Sequence, residues 1–196
     1  MTVLSVNLNK VALLRNSREG HRPSVIEFAR LAIAAGAGGI TEHPRPDQRH
    51  VRASDVPALA TMLKTEYPHI EFNIEGNPVA DANAGGYPGF IPLIKAVGPA
   101  QATLVPDSDD QLTSDHGWDL SVAQPQLRAH IEACQQAGAR VSLFMDPVVE
   151  HMAIAADHND GRGVWRLARI RARRGLGVEN RTYPPPDATP IACSEW

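Results

Sequence analysis

"GITEHPRPDQRH", residues 39–50, opens as an apolar strand and breaks into charge within four residues. Gly39-Ile40-Thr41 suits extended chain, and Pro44 and Pro46 then forbid a helix. His43, Arg45, Arg49 and His50 crowd together just where the strand runs out. Thr41 and His43 share parity, so both lie on one face of the strand. Arginine offers a planar fork for phosphate oxygens, and an imidazole titrates near neutrality and can serve as general acid or base. The stretch therefore reads as one wall of an anion-binding, proton-transferring pocket. A solvated polar loop is the plainer reading of the same residues.

Working outward, "VLSVNL" (3–8) alternates like a short strand, and a loop follows it. "SVIEFARLAIAAGAGG" is helical, with Ser24 as N-cap and Gly36 as stop. Ser54-Asp55 starts a second helix, "IEFNIE" (70–75) is a third strand, and "GFIPLIKAVG" is a helix interrupted by Pro92. "QATLVP" (101–106) is a fourth strand. "PQLRAHIEACQQAGA" is an amphipathic helix ending at Gly138, "RVSLFMD" (140–146) a fifth strand, and "PVVEHMAIAAD" the start of another helix.

Strict alternation of strands and helices favours parallel strands covered by helices, either an open doubly wound sheet or a closed barrel. The polar residues favour the barrel. They stand at the C-terminal ends of successive strands: Asn7 and Asn9, His43 and Arg45, Glu75, the Asp107–Thr113 loop, and Asp146. A barrel draws its site from many strand ends, whereas an open sheet concentrates it at one switch point. No GxGxxG follows the first strand, which argues against a dinucleotide site. The fold class is thus α/β, of TIM (β/α)8-barrel type, apparently truncated after about five β-α units, since eight units need roughly 200 to 250 residues.

Residues 1–157 make the N-terminal portion of that barrel, and 158–196 an Arg/Pro-rich tail of atypical composition, for which disorder is one reading. The tail holds seven arginines (162, 166, 169, 171, 173, 174 and 181), no lysine and four acids, then "YPPPDATP". It contains no convincing sixth, seventh or eighth strand. Its bias is what an out-of-frame reading of GC-rich DNA gives. Aromatic interleaving beyond Trp165 is missing, so the RNA-binding signal is weak.

Composition narrows the classes further. The chain is 43% hydrophobic and 21% charged, with a net charge of -3, so there is no global case for nucleic acid or an acidic membrane. Cys134 and Cys193 match no zinc spacing, which fits free thiols in a reducing cytosol and hence a cytoplasmic location. No signal peptide and no membrane span are expected. No metal or cofactor is implied.

Other clusters carry chemistry of the same kind. Asn7 and Asn9 alternate with apolar residues, pointing to one face, and Lys10, Arg15 and Arg18 follow. The group suits a phosphate or polyol, or a solvated loop. Glu75 at the end of a buried strand is costly unless paired or protonated, and a raised pKa there suits proton transfer; a structural ion pair is the alternative. Thr113 and Ser114 lie in a long polar loop, "PDSDDQLTSDHGWD", of a length often used for lids or binding loops.

In order and spacing, "NLNKVALLRNSR", "GITEHPRPDQRH", "FNIEGNP", "ATLVPDSDDQLTSDHGWDL" and "GARVSLFMDP" resemble the pyridoxine 5'-phosphate synthase family over about residues 3–157. The resemblance implies a TIM barrel in an octamer that condenses 1-deoxy-D-xylulose 5-phosphate with 3-amino-2-oxopropyl phosphate. The products are pyridoxine 5'-phosphate, phosphate and water. It implies that His43 and Glu75 are proton acceptors and that Asn7 and Arg18 contact the aminoketone phosphate. Arg45, His50 and Thr113 bind the deoxyxylulose phosphate. Asn9 and Lys10 stand where many members carry Asp-His against that substrate. Glu42 stands where an apolar residue is expected; it should face the helix layer, away from His43, at a cost in stability. The family's later strand, His-Gly acid segment and last phosphate site have no counterpart after Asp157, which implies low stability and little activity. Two other readings stay open: a phosphosugar barrel enzyme using Lys10 as a Schiff base, and a non-catalytic fragment whose basic tail binds a partner.

Overall fold

In a computed structural model the described residues are 3–18, 20–108, 111–146, 148, 150–151, 154–155, 166–167 and 191–194. In chain order they form β1 (Val3–Asn7), α1 (Asn9–Asn16), α2 (Val25–Ala34), β2 (Gly39–Glu42), α3 (Asp55–Glu66) and β3 (Glu71–Gly76). A two-stranded hairpin follows, β4 (Asp81–Ala82) and β5 (Pro88–Gly89), then α4 (Phe90–Val97) and β6 (Gln101–Leu104). The remainder is α5 (Leu127–Gln136), β7 (Arg140–Met145), β8 (Arg166–Leu167) and β9 (Ile191–Ser194). The main sheet has the order β8-β7-β6-β3-β2-β1-β9 and is parallel throughout. It curls as part of a β/α barrel, with helices in the connections.

The period-two alternation of these strands separates two environments. Ile40, Ile74, Ala102, Leu104, Val141 and Leu143 are buried in one apolar cluster with Val56, Leu59, Phe90, Ile94 and Ile131 of the helices. Each valine, leucine, isoleucine or phenylalanine among them removed from water contributes about 1.5–3 kcal/mol. The opposite face carries Ser5, Thr41, Asn73, Gln101, Thr103 and Ser142, all buried. All but Ser142, whose Oγ has no hydrogen-bond partner among the described residues, are joined across strands. Ser5 Oγ lies 2.8 Å from Thr41 Oγ1, Asn73 Nδ2 donates to Thr41 Oγ1 at 3.3 Å, and Thr103 Oγ1 donates to Asn73 Oδ1 at 2.8 Å. Arg140 donates to Gln101 Oε1 and pairs with Glu71 at the base of this stack. Joining buried polar groups to one another limits the cost of taking them out of water.

The strands expected near 3, 39, 70, 101 and 140 are β1, β2, β3, β6 and β7. Ser24 caps α2 as expected, its Oγ accepting the Glu27 N–H at 3.2 Å. Four features differ from the sequence reading. The segment after β1 is not a loop but α1, so Asn9 is a helix residue and shares no strand face with Asn7. Pro92 does not interrupt α4; it is the third residue, where a backbone N–H has no intrahelical acceptor to lose. The β4–β5 hairpin was not legible. The tail is not without strands: β9 pairs with β1 and β8 with β7, so each receives a parallel partner along the side that a five-strand barrel piece leaves bare. Of the helix expected after Asp146, Glu150, His151, Ile154 and Ala155 are helical, and the rest lies outside the described residues.

The long 107–126 connection has no helix or strand among its described residues. It is anchored over the ends of β6 and β7. Trp118 donates its backbone N–H to Phe144 O at 2.8 Å and its indole N–H to Leu104 O at 2.9 Å. Gly117 lets the chain approach this closely: a Cβ there would lie 2.3 Å from Asp146 N. No helix among the described residues is long and apolar enough to cross a membrane.

Candidate active site

His43 and Arg45 leave the C-terminal end of β2 on its polar face, and both are 5% exposed. Asn7 ends β1, and Glu75, also buried, lies near the end of β3. A chain of hydrogen bonds ties these ends together. Asn7 Nδ2 donates to Glu75 Oε2 at 3.4 Å, and Asn7 Oδ1 accepts the Asn9 N–H at 2.8 Å. Asn9 Oδ1 in turn accepts the His43 N–H at 2.9 Å. The first residue of α1 therefore fixes the backbone that presents the imidazole, a role that differs from the strand-face placement expected for Asn9.

Burial, and then the positive charges of Arg45, His50 and Arg49, hold His43 well below its ordinary value. It is a neutral imidazole at physiological pH and can accept a proton. His50 lies edge-on to it with ring centroids 6.1 Å apart. Burial, and then Arg45, lower His50 to about 4. Its Nδ1 accepts the Val51 N–H at 2.9 Å, so the neutral ring carries its proton on Nε2 and can donate it.

A cavity of about 210 Å3 opens beside His43, lined by Arg45, Arg49, Asn77, Asp107 and Ser108 among others. Arg45 pairs with Asp107 and donates to Gln111 O at 3.1 Å and to Ser114 Oγ at 3.4 Å. Arg49 donates to Gln111 O at 2.9 Å and Leu112 O at 3.2 Å. Two guanidiniums thus strap the 107–114 loop to the 44–50 loop across the cavity mouth.

Asn7, Asn9, His43, Arg45, His50 and Glu75 come together in this way. Of the nominated residues only His43 and Arg45 line the cavity; Lys10, Arg18 and Thr113 are exposed as well. Lys10 acts on the group through its charge, which lowers His50. Ser114, one residue beyond Thr113, is the hydroxyl that reaches inward, donating to Asp107 Oδ2 at 2.7 Å. Sequence reasoning placed Asp107 at the start of a polar strand-end loop and Arg15 in the phosphate or polyol group, but gave neither the contacts it makes here. Asp107 continues the odd-numbered, inward parity of Gln101 and Thr103, a signal that was present. Arg15 is 5% exposed; its guanidinium grips both Asp55 oxygens at 2.7 and 2.9 Å and donates to His50 O at 3.1 Å, holding the histidine's loop. No alternation marks it.

Glu42 faces the helix layer, as its parity requires. It is fully buried, and neither carboxyl oxygen has a hydrogen-bond partner among the described residues. Burial, and then the Asp55 carboxylate, push it up to about 8, against the opposing pull of Arg15. Among the described residues no group of three His, Cys, Asp or Glu is placed to hold a metal ion.

Residues 4–162 match the family described as "Pyridoxal phosphate biosynthesis protein PdxJ". The chain belongs to this family. Family members similar to it include a pyridoxine 5'-phosphate synthase of Xanthomonas oryzae pv. oryzae (strain PXO99A), 58% identical over 145 residues, covering 74% of this chain and 56% of that protein. The synthase of Xanthomonas axonopodis pv. citri (strain 306) is 56% identical over 155 residues, 79% of this chain and 60% of that protein. The synthase of Xylella fastidiosa (strain M12) is 49% identical over 178 residues, 91% and 65% of the two chains. The chain spans less than two thirds of the length of these relatives. The PdxJ match covers every residue of the cavity described above.

Proposed function

We propose that this chain carries the deoxyxylulose-phosphate part of a pyridoxine 5'-phosphate synthase site. The reaction joins 1-deoxy-D-xylulose 5-phosphate to 3-amino-2-oxopropyl phosphate, releasing phosphate and water and forming pyridoxine 5'-phosphate. Family membership and the names of the relatives support the reading. The observation that carries it is His43, a buried neutral imidazole flanked by Arg45 and Arg49 at a cavity mouth.

The chemistry suits these groups. The aminoketone's own amine forms the imine, so no enzyme lysine is needed, and Lys10 is read as a substrate contact. His43 and Glu75 accept protons during phosphate loss and ring closure. Arg45 and the Nε2–H of His50 hold the deoxyxylulose phosphate, with Thr113 closing on it from the loop. Asn7 and Arg18 meet the aminoketone phosphate, and Asn9 holds the His43 backbone. The octamer of the resemblance and a cytoplasmic location belong to the same proposal.

The test is calorimetric titration of the purified chain with 1-deoxy-D-xylulose 5-phosphate. Binding is expected, and Arg45→Ala should weaken it about tenfold or more, the size of one charge-assisted hydrogen bond. A wild-type chain that does not bind the ligand refutes the proposal. With both substrates the chain alone should form little product, because residues 158–196 contain no His-Gly segment to supply the acid.

A further inference from the structure

We propose that Asp107 is a further substrate-contacting residue, accepting a hydrogen bond from a hydroxyl group of a phosphorylated polyol bound in the cavity. The inference rests on reading that cavity as a phosphosugar site.

The two oxygens of Asp107 have different surroundings. Oδ2 is fully used: it pairs with the Arg45 guanidinium, accepts from Ser114 Oγ at 2.7 Å, and lies 3.8 Å from His43 Nε2. Oδ1 is sealed from water and has no hydrogen-bond partner among the described residues. The residue is 5% exposed yet lines the cavity. A buried carboxylate oxygen left without a donor is among the more costly arrangements a fold can keep. Holding Arg45 does not require it, since Oδ2 does that alone and Gln111 O also receives the guanidinium. The carboxylate is also held in place before any ligand arrives. Arg45 and Ser114 fix its head, and Asn77 Nδ2 donates to the Asp107 carbonyl at 2.6 Å. Asp107 lines the cavity, so a ligand seated there needs only a small yielding of the wall for its hydroxyl to reach the unpartnered Oδ1.

The surroundings select the kind of donor. A phosphate oxygen cannot donate when ionised and is repelled by the carboxylate, so the anionic end of the ligand belongs toward the guanidiniums of Arg45 and Arg49 and away from Asp107 Oδ1. An ammonium is disfavoured by the same positive field of Arg45 and Arg49 that depresses His43 and His50. A neutral hydroxyl meets neither objection. The ligand that fits carries an anion at one end and hydroxyl donors a few bonds away, which describes the phosphate ester of a short polyol.

The test compares three ligands on the full chain: 1-deoxy-D-xylulose 5-phosphate, n-pentyl phosphate, which lacks the hydroxyls and the ketone, and inorganic phosphate. The wild type should prefer the sugar phosphate to pentyl phosphate by about tenfold or more. Asp107→Asn should lose about tenfold or more in affinity for the sugar phosphate, while inorganic phosphate binds as well as before or better. An equal loss on both ligands marks a structural role and overturns the proposal, as does no loss on the sugar phosphate. In the wild type, the Asp107 carboxyl 13C resonance should shift with the sugar phosphate and not with pentyl phosphate. A signal that stays still overturns the proposal even where the variant fails to fold. A wild type that binds none of the three removes the phosphosugar reading itself, and this inference with it.

Discussion

Replacing Glu42 should change how the stability of the protein depends on pH. Its carboxyl is fully buried against the helix layer, without a hydrogen bond among the described residues, and is pushed from an ordinary 4.5 up to about 8. The folded protein therefore keeps a proton that the unfolded chain releases. With more protons bound in the folded state, stability is fully present below about pH 4.5 and falls as pH rises toward 8. The slope approaches 1.36 kcal/mol per pH unit, so the loss between pH 5 and pH 8 is roughly 3 to 4 kcal/mol. That is a large share of the 5–15 kcal/mol typical of a domain. Glu42→Gln cannot titrate and should lack this slope. Glu42→Leu removes the buried acid altogether and should exceed the wild type at pH 8 by a similar amount. The assay is urea unfolding of the three proteins at pH 5, 6.5 and 8. Other titrating groups, His43 and His50 among them, are common to all three and cancel in the difference. Parallel stability curves for wild type and Glu42→Gln would falsify the placement of an unpaired acid in this layer.

Long-range 1H–15N spectra should find His43 neutral at pH 6.5 and His50 neutral at pH 5.5, with His50 protonated on Nε2; an imidazolium at His43 at pH 6.5 contradicts its burial beside Arg45. Because both values are depressed, their contribution to stability is present above about pH 6.5 and is lost as pH falls, for His50 through about 4. Gly117→Ala puts a methyl 2.3 Å from Asp146 N and 2.4 Å from Met145 C, so about 1–3 kcal/mol of overpacking is expected in thermal or urea unfolding. An unchanged midpoint would show that the 107–126 connection is not seated on β7.

The regular part of this fold was legible because each principal strand carries its own signal. Alternation or a short β-rich run, bounded by turn residues, marked β1, β2, β3, β6 and β7, and the spacing between them imposed parallel order. What escaped lacks local signal. The N-cap position of α1 is Leu8, which makes no side-chain capping bond, and no acid stands in its first turn. It is helical because Ala12 packs into the core and Arg15 grips Asp55 from 40 residues away. The hairpin strands are two residues each, too short for any period. Strands β8 and β9 depend on unfilled edges elsewhere in the sheet, and no window of the tail can report that.

The site divides along the same line, and the division has a physical cause. Parity and strand ends were enough to bring His43, Arg45, Glu75 and Asn7 to neighbouring strand ends, because the sheet register fixes where each strand stops. Parity also turned Glu42 toward the helices. Beyond the strand ends, the backbone no longer alternates, and side chains are placed by the partners they find. Asn9 came to hold the His43 N–H through a helix turn, and Ser114, not its neighbour Thr113, met Asp107. Lys10 and Arg18 stand exposed at opposite ends of α1. On the proposed function, their exposure suits electrostatic capture from the surface, and the buried His43–Arg45–Asp107 group suits proton transfer, since burial keeps water from competing with a substrate.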